Sequence, residues 1–381
     1  MRAVALIDGE HFPDVVRDAL AELPYQWVGA ILVGGSEKLR GGADYGVPLL
    51  EDFGDAELVV DLSDEPVLGP AERFRWASRA LAAGLPYLGA DFRFDPPSYG
   101  LWDPDVPSIA VIGAGKRVGK TAVAAHMASL FARDRDVVIV AMGRGGPREP
   151  ELVEHRPTVD DLVALSRTGR HAASDHLELA AITGVPTIGC RRVGGGLAGQ
   201  VFVSNVVEGA RLAAERGPDL VIFDSSGSAI PPVAVDRRVL VVGPSHDLDS
   251  YLNTYRRLVS DLIVAVGCNV EGAISARIEL RPLEPIEGRV AVFTAGPVGT
   301  DHLAAEVVHV SHNLGDRLAL AGELERIEAD TYLVELKGAA IDLVAEDALA
   351  RGRRIVLAAN DVIAPGLDKA LLALAPEHVR A

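Results

Sequence analysis

The sequence predicts an α/β protein in which a P-loop domain, built on a doubly wound and mostly parallel sheet, follows a smaller N-terminal α/β domain of Rossmann-like type. Two observations support this prediction. Short apolar runs alternate with helical patterns along the chain, which is typical of parallel sheets with helices on both faces. One apolar run, at 108–115, breaks into a glycine-rich loop directly before a predicted helix, which is the setting of a phosphate-binding loop.

The first 95 residues form the smaller predicted domain. Its apolar runs and helical patterns predict strands at 3–8, 27–35 and 58–66 and helices at 15–23 and 70–83. Residues 96–107 are rich in proline and aspartate, a composition that favours a linker. We therefore expect the second domain to begin at residue 108.

The second predicted domain, at 108–300, is the ATPase domain. Its predicted elements are strands at 108–115, 137–142, 220–224, 238–243, 262–270 and 290–296 and a helix at 120–133. The alternation continues with predicted strands at 307–313, 331–337 and 354–360 and a helix at 338–351. Residues 301–381 are accordingly either an extension of the ATPase domain or a small third domain.

Composition and charge narrow the functional classes. The 381-residue chain carries a formal net charge of −17, which argues against binding nucleic acid or an anionic membrane through bulk electrostatics. Its two cysteines, Cys190 and Cys268, lie far apart and suggest neither a disulfide framework nor a metal cluster. No apolar run reaches the roughly 20 residues that span a bilayer. We expect a cytoplasmic protein that binds a small anion where local donors overcome the global field.

The strongest chemical signal is the segment GAGKRVGKT at 113–121. It matches a phosphate-binding loop in which Ala114 replaces the usual first glycine. Lys120 supplies a cation to the terminal phosphates, Thr121 offers a hydroxyl to Mg²⁺, and Lys116 is a second cation in the loop. The predicted nucleotide-binding residues are Gly113, Ala114, Gly115, Lys116, Arg117, Val118, Gly119, Lys120, Thr121 and Ala122. The implied cofactors are ATP and Mg²⁺.

A second signal follows the apolar run at 220–224. That run ends in Asp224, where an ATPase of this type places its magnesium-side carboxylate. Ser226 and its neighbours then form a polar turn at the carboxyl end of the strand, where ligands of doubly wound sheets bind. Asp224 and Thr121 are therefore predicted metal ligands, and an ordinary strand followed by a turn is the alternative.

The loop at 142–151 combines arginine, glycine and glutamate. Arg144 and Arg148 are suited to clamping phosphoryl oxygens in bidentate fashion. Glu149 or Glu151 could hold the metal directly or through water. A solvated, charged loop is the alternative.

A similar combination stands at 189–200, where two arginines precede three glycines. Arg191 and Arg192 at a strand end, with Gly195 close behind, resemble an anion site. A loop that only caps a helix or joins two elements is the alternative.

Weaker signals lie outside the central domain. Asp8, Glu10 and His11 follow the first predicted strand, on the side where an open parallel sheet binds ligands. Lys337 ends a predicted strand in a similar position, and a surface lysine is its alternative. His309 and His312 would point to opposite faces of a strand, so the sequence predicts no zinc site.

Taken together, these segments resemble the cyclic 2,3-diphosphoglycerate synthetase family. The resemblance rests on ALIDGEH, GAGKRVGKTAV, AMGRGGPREPE, GCRRVGGGLAG, VIFDSSGSAIPPV and ELKGAAIDLV, which are spread over nearly the whole chain. It implies ATP- and Mg²⁺-dependent closure of 2,3-diphosphoglycerate into a cyclic anhydride, with release of ADP and phosphate. It also implies a relation to the ATPase class that contains dethiobiotin synthetase, whose doubly wound members often pair, so a homodimer is expected.

Under this resemblance the candidate residues acquire roles. Lys120, Lys116, Arg144 and Arg148 are expected to act in phosphoryl transfer. Substrate binding is expected from Arg191, Arg192, Gly195, Ser226, Lys337, Asp8, Glu10 and His11, and metal binding from Thr121, Asp224 and Glu149. Two other functions remain open: an ATP-dependent kinase or ligase with another phosphorylated or carboxylated substrate, and a non-enzymatic nucleotide-dependent switch.

Overall fold

The structure is a computed structural model that describes residues 1–39, 44–103 and 105–375, and it confirms the α/β fold class. The chain divides into two compact units. Unit 1 comprises Met1–Ser98 with Asp247–Val259, and unit 2 comprises Tyr99–His246 with Ser260–Ala381. The return of residues 247–259 to unit 1 is a feature that the sequence did not predict.

Unit 1 is built on a five-stranded sheet with the order β2-β1-β3-β4-β5. Its strands are β1 (Arg2–Ile7), β2 (Gln26–Leu32), β3 (Leu58–Asp61), β4 (Tyr87–Leu88) and β5 (Arg93–Phe94), and its helices are α1 (Pro13–Glu22), α2 (Pro70–Ala82) and α7 (Asn253–Leu258). The first four strands are parallel and β5 is antiparallel to β4. The core of β1 is completely buried from Ala3 to Ile7, as expected for a parallel strand covered on both faces.

Unit 2 contains one sheet of thirteen strands. They are β6 (Ser108–Gly113), β7 (Val137–Gly143), β8 (Glu151–Val153), β9 (Thr187–Val193), β10 (Val203–Ser204), β11 (Leu220–Asp224), β12 (Arg237–Val242), β13 (Leu262–Val266), β14 (Ile274–Pro282), β15 (Arg289–Phe293), β16 (Glu306–Ser311), β17 (Thr331–Glu335) and β18 (Arg354–Ile363). The helices are α3 (Lys120–Phe131), α4 (Val159–Arg167), α5 (Asp175–Thr183), α6 (Val206–Ala214), α8 (Arg317–Leu324), α9 (Glu346–Ala350) and α10 (Leu367–Leu374), with a π-helical segment at Ala340–Ala345.

The large sheet consists of two parallel blocks joined by one antiparallel pair. Its main path is β10-β9-β7-β11-β6-β12-β13-β14-β18-β17-β15-β16, and β8 pairs with β9. The strands from β9 to β14 along this path are parallel, and so are β18, β17, β15 and β16. The antiparallel pair of β14 and β18 joins these blocks, with Arg277 opposite Ile363 and Pro282 opposite Ala358. The C-terminal strands, named here the C-terminal block, thus continue the sheet that carries the phosphate loop.

Several predicted elements end earlier than their apolar patterns suggest. The strand predicted over 262–270 stops at Val266, because Gly267 adopts the left-handed conformation (φ 66°), which leaves the ladder. The helix predicted over 338–351 is divided into the π-helical segment and α9. In the part of the chain that the structure describes, no helix is long and apolar enough to cross a membrane.

Candidate active site

The glycine-rich loop connects β6 to α3, as its sequence predicts. Gly119 precedes the helix in the left-handed conformation (φ 92°), which favours glycine. A side chain on Gly113 would place its Cβ only 2.5 Å from Cδ of Lys120, so glycine is required there for the lysine to fold back over the loop. Helix α3 is held firmly, since Val123, Met127 and Phe131 are fully buried.

Lys120 is buried at the start of α3, and its Nζ donates to the carbonyl oxygen of Gly115 at 2.9 Å. Burial lowers the pKa of this ammonium to about 8, although the nearby carboxylates of Asp224 and Asp175 oppose the decrease. The lysine is therefore a buried cation that interacts with the charges of two acids.

Asp224 ends β11, which lies between β6 and β7. Its side chain is almost completely buried, and its Oδ1 has no hydrogen-bond partner among the described residues. Burial raises the pKa of this carboxyl to about 8, and the charge of Asp175 adds to the increase. A buried carboxylate oxygen without a partner is suited to a cation, because burying a charge without compensation is costly.

The second acid, Asp175, was missed by the sequence reasoning. It is the first residue of α5, and its Oδ2 lies 3.2 Å from the position of a Cβ on Gly143 at the end of β7. Its charge acts on both Lys120 and Asp224. In sequence it looks like an ordinary acid in the first turn of a helix, and only the fold brings it to the phosphate loop.

These groups fit a magnesium ion that takes most of its ligands from phosphate and water. The fit rests on the unpartnered Oδ1 of Asp224 and on the hydroxyl of Thr121 directly after Lys120. The described residues contain no group of three or more His, Cys, Asp or Glu side chains that could hold a metal by themselves. Mg²⁺ commonly binds through one or two carboxylates together with substrate phosphates, so this donor set is sufficient.

Two arginines meet at Gly227, just after Asp224. A Cβ on Gly227 would lie 3.1 Å from Nη2 of Arg144 and 3.3 Å from Nη2 of Arg192. Arg192 is buried, and it donates to the carbonyl oxygens of Gly194 at 2.5 Å and Ser226 at 2.9 Å. Burial and the charge of Arg144 lower the pKa of Arg192. The two guanidinium groups repel each other, so an anion bound between them would be favourable.

The other residues predicted in these two loops lie as follows. Ser226 is buried beside Arg192, and a Cβ on Gly195 would lie 3.3 Å from Nη1 of Arg192. Arg191 is half-buried, and its backbone N–H donates to Asn205 Oδ1 at 2.7 Å.

The remaining charged residues of the loop at 142–151 face solvent or another side chain. Arg148 and Glu149 are exposed, and the carbonyl oxygen of Arg148 accepts a hydrogen bond from Asn205 Nδ2 at 3.2 Å. Glu151 is engaged in an ion pair with Arg170, which lies in the connection between α4 and α5.

The C-terminal block contributes Lys337, two residues after β17. Its Nζ lies 2.9 Å from Oε1 and 3.0 Å from Oε2 of the buried Glu178 on α5. Burial acts against the lysine's charge, but Glu178, Glu335 and Asp175 raise its pKa. Burial raises the pKa of Glu178 to about 7, and Lys337 limits that increase. Arg117 of the phosphate loop also reaches this block, because its Nη2 lies 2.8 Å from the position of a Cβ on Gly315.

His246 is a further residue that the sequence reasoning missed. It lies in the loop after β12, and its imidazole covers Gly115, where a Cβ would come within 1.8 Å of Nε2. Its Nδ1 is buried without a hydrogen-bond partner in the described chain. Burial and the charge of Lys120 lower the pKa of His246. Histidine followed by aspartate after a strand carries no sequence signal that distinguishes it from a solvated loop.

The three residues predicted near the N-terminus lie in unit 1. Asp8 is fully buried, and its carboxylate accepts from Asp64 N at 2.6 Å, His11 Nδ1 at 2.8 Å and Glu10 N at 3.0 Å. Burial acts to raise the pKa of Asp8, but these hydrogen bonds outweigh it and hold the pKa below its usual value. Asp8 thus holds His11 in place, and His11 and Glu10 are partly exposed.

His309 and His312 have separate partners. His309 Nε2 lies 3.5 Å from Oε2 of Glu323, whereas His312 Nδ1 lies 2.9 Å from Oγ1 of Thr294. The two imidazoles therefore belong to different local contacts.

Comparison with protein families matches most of the chain to one family. Three family models match in succession, described as cyclic 2,3-diphosphoglycerate synthetase N-terminal domain over residues 2–55 and 50–95, P-loop domain over 108–290, and C-terminal domain over 282–361.

Individual relatives agree with these models. The chain is 46% identical over 431 aligned residues to the cyclic 2,3-diphosphoglycerate synthetase of Rubrobacter xylanophilus, with 98% of this chain and 97% of the relative covered. It is 40% identical to the protein of that name from Thermococcus gammatolerans, with 94% and 93% covered. The corresponding values for Pyrococcus horikoshii are 38%, 93% and 91%.

Proposed function

This chain belongs to the cyclic 2,3-diphosphoglycerate synthetase family, and from that premise we propose that it uses ATP to close 2,3-diphosphoglycerate into its cyclic anhydride. The observation that carries the proposal is the clustering at one sheet edge of a buried lysine, a buried carboxylate with an unpartnered oxygen, and two converging arginines. The lysine and the carboxylate suit a nucleotide with its metal ion, and the two arginines suit a second multiply charged anion.

The proposed reaction has two displacements. An oxygen of one substrate phosphate attacks the γ-phosphorus of ATP, the bond from that phosphorus to the β–γ bridging oxygen breaks, and ADP leaves. An oxygen of the other substrate phosphate then attacks the phosphorus of the first. Inorganic phosphate leaves with the electrons of the broken P–O bond, and the ring closes. The protein needs no covalent nucleophile, because positioning and charge stabilisation account for most of the catalysis of phosphoryl transfer.

Each group in the cluster has a defined task in this scheme. Lys120 and Lys116 would neutralise the terminal phosphates of the nucleotide held by residues 113–122, and Thr121 and Asp224 would hold Mg²⁺. Mg²⁺, when bound, supplies charge neutralisation at the phosphates. The charge of Asp175 acts on both Lys120 and Asp224, so it would also attract a cation held beside Asp224. We include it as a metal-site residue, alongside the exposed Glu149.

Substrate phosphates would bind among the arginines and at the end of the C-terminal block. Arg144 and Arg192 converge on Gly227, which leaves their remaining donors for an anion. The proposed substrate set also includes Arg148, Arg191, Gly195, Ser226 and Lys337. The assignment of Asp8, Glu10 and His11 to this substrate stays a prediction.

The deciding experiment measures ADP release from ATP and Mg²⁺ with and without 2,3-diphosphoglycerate, followed by phosphorus NMR of the product. Stimulated ADP release together with a cyclic anhydride signal would support the proposal. Stimulation without a cyclic product would point to a kinase or ligase of another type. A slow hydrolysis that no phosphorylated or carboxylated metabolite stimulates would favour a nucleotide-dependent switch.

We also propose a homodimer in the cytoplasm, with no nucleic-acid or membrane partner. The edge of the large sheet supports the dimer, since Phe202 is 92% exposed and Val193 and Val203 are exposed beside it on β9 and β10. An apolar edge that pairs with no further strand among the described residues favours pairing with a second molecule. Light scattering on the wild type and on Phe202→Asp tests this proposal, and a monomer in both would contradict it. The net charge of −17 supports the absence of polyanionic partners.

A further inference from the structure

Unit 1 contains a crevice at the point where its sheet reverses direction. The chain passes from β1 to β2 on one side and later places β3 on the other side of β1. In open parallel sheets, ligands bind outside the carboxyl ends of the strands at such a switch point. A cavity of about 420 Å³ lies there, and its lining comes from α1, α2, the end of β3 and the β4–β5 turn. That volume is within the range of small-molecule sites.

One polar group of this crevice is held by a buried acid. Asp8 fixes His11 through Nδ1, and the other ring nitrogen, Nε2, lies 3.5 Å from the exposed carboxylate of Asp64. Both His11 and Asp64 line the cavity. An imidazole oriented by a buried carboxylate presents its second nitrogen in a fixed direction, which is the arrangement of a binding group rather than of a mobile surface side chain.

A second polar group in the lining is an arginine, which also contacts a buried acid. Arg73 donates through Nη2 to the carbonyl oxygen of Ser63 at 2.6 Å, and its Nε lies 3.4 Å from Oδ2 of the buried Asp61. Asp61 also accepts from the hydroxyl of Tyr87 at 2.7 Å. These contacts hold the guanidinium at the wall of the cavity and use only part of its donors.

The charge of unit 1 disfavours a polyanion in this crevice. Residues 1–98 contain 17 Asp and Glu against 8 Lys and Arg, a formal net charge of −9. Around the cavity, the three acids Asp61, Asp64 and Asp91 outnumber the one arginine, Arg73. A ligand with two phosphates would be repelled, whereas a neutral or cationic ligand would not. This charge argues against the predicted assignment of His11 to 2,3-diphosphoglycerate.

The rest of the lining is apolar and includes an aromatic ring. Val15, Val16 and Leu62 form one part of the wall, and Phe92, which stacks on Tyr87 with ring centroids 5.8 Å apart, forms another. Apolar and aromatic walls with a few convergent polar groups favour a flat ring that carries hydroxyl or amino groups.

We propose that this crevice is a second ligand site, separate from the phosphate loop, and that it binds an uncharged nucleoside. The ring packs on Phe92 and the valines of α1, and its hydroxyl groups bond to Asp64, His11 and Arg73. The inference does not depend on the proposed reaction, because it concerns binding to unit 1.

The test titrates adenosine into the full-length protein with the phosphate loop saturated by ADP and Mg²⁺, and follows binding by calorimetry and ligand-observed NMR. Ala19→Phe fills the crevice from α1, since Ala19 lines the cavity. Ala21→Phe is the matched control, because Ala21 is an exposed residue of the same helix outside the lining. Asp64→Asn removes a rim carboxylate without altering the core.

We expect adenosine to bind to the wild type and to Ala21→Phe, and its affinity to fall about tenfold or more in Ala19→Phe and severalfold in Asp64→Asn. Three results would overturn the proposal: no adenosine binding to the wild type, binding that Ala19→Phe leaves unchanged, or displacement of adenosine by 2,3-diphosphoglycerate. These three results are measured by adenosine binding and not by ADP release. A failure of the crevice proposal therefore leaves the proposed reaction intact, and a failure of the proposed reaction leaves the crevice proposal intact.

Discussion

The ammonium of Lys337 lies within 3.0 Å of both carboxylate oxygens of Glu178, so a side chain of the C-terminal block closes an ion pair with helix α5. Glu178 is buried, and its pKa is about 7. That value lies above the ordinary value for glutamate in an unfolded chain, about 4.3. The folded state therefore binds the proton more tightly, and stability decreases as the pH rises from about 4 through 7.

The first prediction concerns Lys337→Met. Without the cation, the pKa of Glu178 rises further, and the loss of stability continues to higher pH. We expect the melting temperature of the variant to fall more than that of the wild type between pH 6 and pH 9. The double variant with Glu178→Gln should remove most of that difference, and Lys369→Met, an exposed lysine on α10, serves as the control. Equal pH dependence in Lys337→Met and the wild type would contradict the ion pair.

The second prediction concerns Lys120→Met. Loss of the charge at the terminal phosphates should lower substrate-stimulated ADP release about 10²- to 10³-fold while the fold is retained. In the wild type the pKa of this lysine is about 8, so kcat/KM for ATP should decrease above that pH as the ammonium of the free protein deprotonates. Lys369→Met is the activity control. A wild-type profile of kcat/KM against pH that stays flat to pH 9.5 would contradict the deprotonation of Lys120 in this range.

Asp224→Asn should separate stability from activity. The buried carboxyl has a pKa of about 8, above its unfolded value, so its ionisation destabilises the free protein as the pH rises toward 8. We expect the amide variant to melt at a higher temperature than the wild type at pH 8 and at a similar temperature at pH 4. Magnesium-dependent ADP release should fall by at least about tenfold. A lower melting temperature at pH 8 would show that the carboxylate has a stabilising partner instead.

A double-mutant cycle tests the contact between Gly115 and His246. A Cβ on Gly115 would lie within 1.8 Å of Nε2 of His246, so Gly115→Ala must displace the imidazole or the loop. We expect that variant to raise KM for ATP severalfold and to lower stability. Adding His246→Ala should recover part of the stability, because it removes the overlap. Additive effects of the two substitutions on the melting temperature would argue against the contact.

Arg144→Ala should act on the substrate rather than on the fold. Arg144 is exposed yet approaches Arg192 near Gly227, and its removal also relieves the repulsion between the two guanidinium groups. We expect an unchanged or slightly higher melting temperature and a KM for 2,3-diphosphoglycerate raised by about 10- to 100-fold. The exposed Arg326→Ala is the matched control. An unchanged KM would remove Arg144 from the site.

The parts of the site that could be predicted from the sequence are those formed by residues adjacent in the chain. The phosphate loop combines a buried strand, glycines and Lys120 within a few positions, and Asp224 follows directly from its apolar strand, so local patterns were sufficient. Asp175 could not be found in this way, because 31 positions separate it from Arg144 and only the packing of α5 returns it to the loop. His246 and the return of residues 247–259 to unit 1 likewise depend on tertiary structure.

The alternation of apolar runs and helical patterns was sufficient to predict the fold class, but it did not predict which strands pair with each other. Nothing in the apolar pattern of 274–282 indicates an antiparallel partner eighty residues later. Strand ends also shifted where a left-handed glycine ended a run early, as at Gly267. The periodicity of apolar residues indicates which faces of a strand are buried. Which strands pair depends on the tertiary structure of the whole chain.

The antiparallel pair of β14 and β18 has a consequence for how this chain can be divided. A fragment that stopped after β14 would present a nine-residue strand, Ile274–Pro282, with its hydrogen-bonding groups open to any neighbouring molecule. Free edges of that length promote aggregation. The segment up to β14 is therefore not expected to fold as a well-behaved separate domain. A chain divided at this point would need either a different boundary or an added strand that replaces β18.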